Sequence, residues 1–391
     1  MAWLLWGLPV RYLSLYGDGE RGTIEHACLP VPLTAMMRIL PMVERIHLPD
    51  AWAAIEHFFQ QEWSDGLPVV PPTAPLVRAM LDAVARNSAE VVGHVPPRFG
   101  PATVESLAVH AVLAGCQPAY FPVVLAAVEA MLDPRFGLHG VIATTHVSTP
   151  LLIVNGPITR ELNINAGYNL FGQGWRANAT IGRAIRLIIG NLGGGLPGGT
   201  DQSTLGHPGK YTYCIAENET VSPWEPLHVE RGFAPEESTV TVLAAAAPYS
   251  MSDFFNNTAL GIMRTFADSM ANMGSTNMYR GGELLVVIGP EHAHDIATDG
   301  WAKTDIQYYL YEYARKPYSE ARRGGMYSEE VRRELWPRWI DYTREEVMIP
   351  LVRTPDEILV IVGGGAGRHS AWVSGWGNVD RSRTVTRKIT R

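Results

Sequence analysis

Cysteine is scarce: Cys28, Cys116 and Cys214 are the only three in 391 residues. An odd, sparse set without C-x-x-C or Cys/His spacing argues against a disulfide framework and structural zinc, and fits a reducing compartment. No run of 18 apolar residues occurs, so no membrane-spanning helix is expected. A basic stripe is also missing. Lys and Arg number 32 against 39 Asp and Glu, for a net charge of −7, with both signs scattered. Nucleic acid is therefore not an expected partner. The N-terminal "MAWLLWGLPVRYLSLYG" is apolar, but it lacks a basic n-region, breaks at Pro9 and has no A-x-A site. A cytoplasmic location follows as the default.

What is present is globular: 46% of residues are hydrophobic and 18% charged. Residues 1–41 show no periodicity and read as a poorly structured N-terminal extension, with the folded part starting near Met42. Residues 42–391 read as a single α/β domain, with lobes 42–193 and 194–391. Helical patterns cover 49–62, 74–87, 102–115, 119–132, 178–192 and 257–273, with two more near 302–322 and 327–345. "GVIATTHVSTPLLIVNGP" reads as strand, turn, strand.

Three strands share a pattern: "PLLIVNGP" (150–157), "ELLVVIGP" (283–290) and "EILVIVGG" (357–364). Each is a short β-favouring run that ends on Gly and follows helices. Continuous apolar strands imply burial on both faces by flanking helices. The repetition predicts three related α-α-β units in one compact domain, the second interrupted by residues 194–250. Ligands in such folds favour the carboxyl ends of the strands, which here carry Asn155, Glu291 and His369.

The stretch "TLGHPGKYTYCIAENE" (204–219) concentrates chemistry. Strand alternation puts Lys210 and Cys214 on one face, where an ammonium would favour a thiolate. Glu217 at the strand end suits a general base, and His207 precedes the strand. The plain alternative is a half-buried strand with a core cysteine. Cys116 sits in a turn before a helix, where unpaired N–H groups favour a thiolate, or it fills a helix corner. His139 and His146 would lie on neighbouring strands, with His146 available for proton transfer. Arg176 and a helix capped by Asn178 suit a substrate anion. "NLGGGLPGGTD" (191–201) follows a helix and reads as a flexible loop or lid. "IVGGGAGRHS" fits no phosphate-loop spacing.

The segments "WSDGLPVVPPT", "VLAGCQPAYFPVVLAAVEAML", "HGVIATTHVSTPLLIVNGP", "RANATIGRAIRLI", "HPGKYTYCIAENE" and "SPWEPLHVERGF" together resemble a bacterial family associated with the UGSC proteins. Some of those are selenoproteins akin to component B of glycine reductase. The resemblance covers about residues 50–378 and implies a thiol- or selenol-bearing protein partner. The U-G-S-C and C-G-S-C motifs are absent here.

Three functions follow as expectations. The first is an enzyme acting on a small anionic or amide-bearing metabolite through Cys116, Lys210, Cys214, Glu217 and His146, with Asn155, Arg176, Asn178, His207, Glu291 and His369 binding substrate. The second is a hydrolase or hydratase without a thiol role. The third is a non-catalytic partner subunit of a redox selenoprotein-like protein. No cofactor is predicted and no metal ligands are assigned, although a metal-dependent form of the second stays open. A homo-oligomer is expected.

Overall fold

The computed structural model describes residues 46–323, 341–376 and 382–391, with the backbone of short segments at 10–11, 13–14 and 26–27. Most of the expected N-terminal extension and most of the expected helix at 327–345 lie outside the described residues.

Buried β-favouring runs pair where the sequence predicts strands, and two further strands, at His369–Gly375 and Val385–Lys388, are not among the expected ones. In chain order they are β1 (Thr149–Asn155), β2 (Cys214–Ala216), β3 (Thr239–Ser252), β4 (Leu284–Ile288), β5 (Ile358–Val362), β6 (His369–Gly375) and β7 (Val385–Lys388). They make one mixed sheet in the order β5-β4-β6-β3-β1-β2, with β7 also on β3. Buried strands flanked by helices in an α/β fold are what the sequence predicts.

The sheet divides into two units, not three. β1 and β2 are parallel, and β3 is antiparallel to β1. β4 and β5 are parallel in the same way, and β6 is antiparallel to β4. The units join where β3 and β6 pair antiparallel, Tyr249 opposite Trp372. "EILVIVGG" is therefore the parallel partner of the second unit's first strand, and residues 194–250 hold the first unit's own β2 and β3. The apolar runs look alike because strands buried on both faces share one composition, which carries no information on pairing.

Alternation assigns the faces. Leu152 and Val154 of β1, with Val242 and Ala244 of β3, pack on helices α1 (Val104–Ala114), α2 (Phe121–Leu132) and α3 (Arg176–Asn191). Val286 of β4, Val360 of β5 and Trp372 of β6 pack on α4 (Ala259–Met270), α5 (Pro290–Thr298) and α6 (Lys303–Tyr313). The opposite side chains, among them Ile153, Ile215, Val287 and Ile361, form a third core inside the curl of the sheet. Each such fully buried Ile or Val contributes about 1.5–3 kcal/mol.

Local chemistry fixes the ends. Thr103 caps α1 by accepting from Ser106 N–H at 3.0 Å, and Gly115 ends it at φ +90°. One expected strand is a helix: Leu138–Ala143 turns before β1, because Leu138, Val141 and Ile142 bury one face at i, i+3 and i+4. His139 and His146 are thus not on neighbouring strands. His139 lies beside Phe99, at a ring separation of 5.8 Å.

Candidate functional site

Helix α3 carries Arg183 and Arg186 three residues apart, and Arg186 reaches the Gly-rich run after the helix. That run is tied down, not a free lid. A Cβ on Gly193 would lie 2.5 Å from Pro96 O, so only glycine lets the loop meet the hairpin Val91–Val95/Gly100–Thr103. Arg186 donates to Gly195 O, and Gly198 N–H donates to Asp201 O at 3.0 Å. The loop delivers Asp201 to the helix.

Asp201 then organises a cluster. Its carboxylate is 3% exposed and lies 2.8 Å from Lys210 Nζ and 3.4 Å from Arg186 Nη1. Burial lowers the pKa of both Lys210 and Arg186, and Asp201 opposes that fall. Arg183 is matched separately, donating to both oxygens of Asp65 at 2.8 and 2.7 Å. These groups border a cleft of about 620 Å³ lined by Asp65, Arg186, Asn191, Asp201, His207 and Lys210 among others.

Two histidines belong to this region. Burial, then the Lys210 charge, lowers the His207 pKa to about 4, with His146 adding to the effect. Burial and Lys210 lower His146 in the same way. His146 Nε2 lies 2.6 Å from Thr276 Oγ1, a contact 130 residues apart in sequence. The structure therefore places His207 and Lys210 on this cleft with Asp201 and Arg186, and sets the His146–Thr276 pair near enough for the Lys210 charge to act on His146.

The other expected site residues go elsewhere. Lys210 and Cys214 do not share a strand face: Lys210 ends a 3₁₀ turn (Pro208–Lys210), and the strand begins only at Cys214. Pro208 and Gly209 favour the turn, and Asp201 holds the ammonium there. Cys116 and Cys214 are buried, and burial raises both thiols, Cys116 to about 12 and Cys214 higher still. Neither has the low pKa of a nucleophile.

Arg176 donates to Gly115 O at 3.0 and 2.9 Å, closing the end of α1. Asn178 is not a cap. The helix starts at Arg176, and the buried Asn178 amide bridges Asn165 and Cys214 O. Both residues hydrogen-bond backbone groups here.

Glu217 and Asn155 belong to a closed network at the carboxyl ends of β1 and β2. Glu217 is 2% exposed. It accepts from Asn155 Nδ2 and Leu227 N–H at 2.7 Å each, and Lys303 Nζ lies 3.4 Å away. Lys303 also meets Glu230 at 3.1 Å and donates to Glu225 O at 2.7 Å. Burial raises the Glu217 pKa, with Lys303 pulling it back. The network ties α6 of the second unit to β2 of the first.

Glu291 and His369 lie at the second unit's strand ends. Glu291 accepts from Gly367 N–H at 2.9 Å and borders a cleft of about 490 Å³ with His294, Gly364 and Arg368. Arg368 is already paired with Asp295 at 2.9 Å. His369 Nδ1 meets Ser252 Oγ at 2.9 Å on an exposed edge. Of the two clefts, only the one at Asp201 holds two cations on a single carboxylate.

Among the described residues, no group of three or more His, Cys, Asp or Glu side chains is arranged to hold a metal, and no helix is long and apolar enough to cross a membrane. Comparison with protein-family models and with curated proteins finds no match to this chain.

The sequence signals for the missed residues were faint but real. Arg183 and Arg186 repeat at a one-turn spacing on α3, and Asp201 directly follows the glycines. Nothing local marks Thr276 or Lys303, whose partners lie 130 and 86 residues away.

Proposed function

We propose that the protein is an enzyme that holds a small anionic or amide-bearing metabolite in the Asp201 cleft and acts on it by acid–base chemistry without a thiol. One observation carries the reading: Arg186 and Lys210 share the single carboxylate of Asp201, so the cleft keeps one positive charge for a ligand. A buried or half-buried cation seeks an anion more strongly than an exposed one, because water screens it less.

The proton chemistry falls to His146. A neutral imidazole 2.6 Å from the Thr276 hydroxyl has the geometry of a general base and its proton donor. In a hydrolase or hydratase, a water in the place of the Thr276 hydroxyl bonds to the substrate carbon as His146 Nε2 takes its proton, and His146 then returns that proton to the leaving group as its bond to carbon breaks, or to the neighbouring carbon in a hydration. Lys210 then stabilises the negative charge that develops on a substrate oxygen. The buried thiols disfavour the reading in which Cys116 or Cys214 attacks.

The test is ligand-induced stabilisation. Binding to the folded state raises stability by RT ln(1 + [L]/Kd), about 2.7 kcal/mol at a hundredfold excess over Kd. Small carboxylates should raise the melting temperature of the wild-type protein and leave the Lys210→Met/Arg186→Gln variant unmoved. Equal shifts in both proteins would remove the cleft from consideration.

A further inference from the structure

Resting on that reading of the Asp201 cleft, we infer that its ligand is amphiphilic: a carboxylate carried on an unbranched apolar tail, with Leu205 and Tyr211 setting the preference for the tail. The charges locate the carboxylate, and the rim of the cleft dictates the rest of the molecule.

The charge lies deep. Among the described residues, the charged ones that line the cleft are Asp65, Arg186, Asp201 and Lys210. Asp65 is answered by Arg183 through two hydrogen bonds. The side chains of Asp201, Arg186 and Lys210 are only 3%, 11% and 14% exposed. A ligand therefore meets their charge at the floor, with its own charged end. A carboxylate fills little of about 620 Å³, a volume that suits a drug-sized molecule. The remainder of the ligand has to lie along the rim.

That rim is apolar. Pro197, Leu205, Pro208 and Tyr211 line the same cleft, and all four are exposed. Leu205 is 88% exposed and Tyr211 49%. Both are held in place. Thr204 N–H donates to Thr145 O at 3.0 Å and Gly206 N–H to Ser203 Oγ at 3.2 Å, which pins the chain on either side of Leu205. Tyr211 N–H donates to Pro208 O at 3.0 Å, closing the turn that carries Lys210. A lone exposed leucine is ordinary. Four apolar residues around one cleft with a polar floor make a patch, and such patches mark binding grooves. A tail laid from Lys210 across Leu205 and Tyr211 takes both out of water. A tail ending in a second charge would meet no unmatched cation there among the described residues.

The probes are butyrate, hexanoate and octanoate, with adipate and 1-hexanol for comparison, each titrated against the full chain by ligand-observed NMR. A methylene half covered at an open rim is worth about twofold, so octanoate should bind about 15-fold tighter than butyrate. Adipate, which ends in a second carboxylate, should bind more weakly than hexanoate. The Leu205→Ser/Tyr211→Ser variant, changed only at exposed side chains, should bind all three monoacids within about twofold of one another. A flat series in the wild type, an undiminished slope in that variant, or adipate binding tighter than hexanoate would overturn the apolar tail while the anion site stands. If no acid binds, if 1-hexanol matches hexanoate, or if Lys210→Met/Arg186→Gln binds hexanoate as tightly as the wild type, the anion site itself is wrong.

Discussion

Lys210 Nζ stands 2.8 Å from both oxygens of Asp201, the carboxylate that Arg186 approaches at 3.4 Å from the other side. One acid thus holds two largely buried cations apart from their own repulsion. Asp201→Asn removes that charge and leaves both cations unmatched. The expected loss is about 3–5 kcal/mol in urea unfolding, the usual cost of breaking a buried pair from one side. Lys210→Met should cost clearly less, because Arg186 still answers Asp201. Equal losses would show that Asp201 does not hold the two cations together.

The thiols give a second prediction. Burial raises Cys116 to about 12 and Cys214 further, so neither is a thiolate at pH 8. Cys28 lies outside the described residues, so the measurement uses a Cys28→Ser background. Ellman's reagent should label the folded protein only as fast as it opens, with the rate rising in step with urea. A prompt burst at pH 8 would restore a reactive thiol. Cys116→Ala and Cys214→Ala should each leave carboxylate binding at the cleft unchanged.

His110 sets a pH dependence. It is buried in α1 with Nδ1 2.6 Å from Ser106 O, and burial lowers its pKa from 6.5 to about 4. As pH falls below 6.5 the unfolded chain takes up a proton that the folded chain refuses. Stability is therefore full above 6.5 and is lost toward pH 4, by up to about 3 kcal/mol from this one group. His207, His146 and His292 are lowered too and act with the same sign. Unfolding free energies measured from pH 7 to 4.5 should fall less steeply in His110→Leu than in the wild type.

Lys303 meets Glu217 and Glu230, so Lys303→Met leaves the buried Glu217 and the partly exposed Glu230 without their cation. Both carboxyls are already raised by burial, and losing Lys303 raises them further. A raised acid in the folded state loses stability as pH climbs through the window between its unfolded and folded pKa values. The variant's deficit should thus be larger at pH 7.5 than at pH 5, reaching about 3–5 kcal/mol. Adding Glu217→Gln should recover part of it. A deficit independent of pH would mean that packing, not charge, is what Lys303 supplies.

The sequence disclosed what local rules govern. Apolar runs such as "ELLVVIGP" became buried strands, and Gly115 ended its helix. Pairing was out of reach, because it depends on which strand meets which across more than sixty residues. For that reason the third Gly-ended strand reads in the sequence as a third unit, when it is the partner of the second. The site was half legible. His146, His207 and Lys210 were recognised as titratable groups near strand starts. Asp201 was not, since its weight comes from a glycine loop folding back on α3. Strand alternation does not extend to Lys210, because Pro208 turns residues 208–210 into a 3₁₀ corner.

The seam between β3 and β6 has a consequence for how such a molecule arises. Each unit ends on a strand whose free side meets the same kind of strand running the other way. A single unit made twice would close this sheet as a pair of identical chains, third strand against third strand. Within one polypeptide, the two units need not match. The ladder shows the result. Glu217 N–H donates to Val154 O in one unit, where Gly363 N–H donates to Ile288 O in the other. One unit carries a buried acid anchored by a lysine, and the other carries a glycine beside an open cleft.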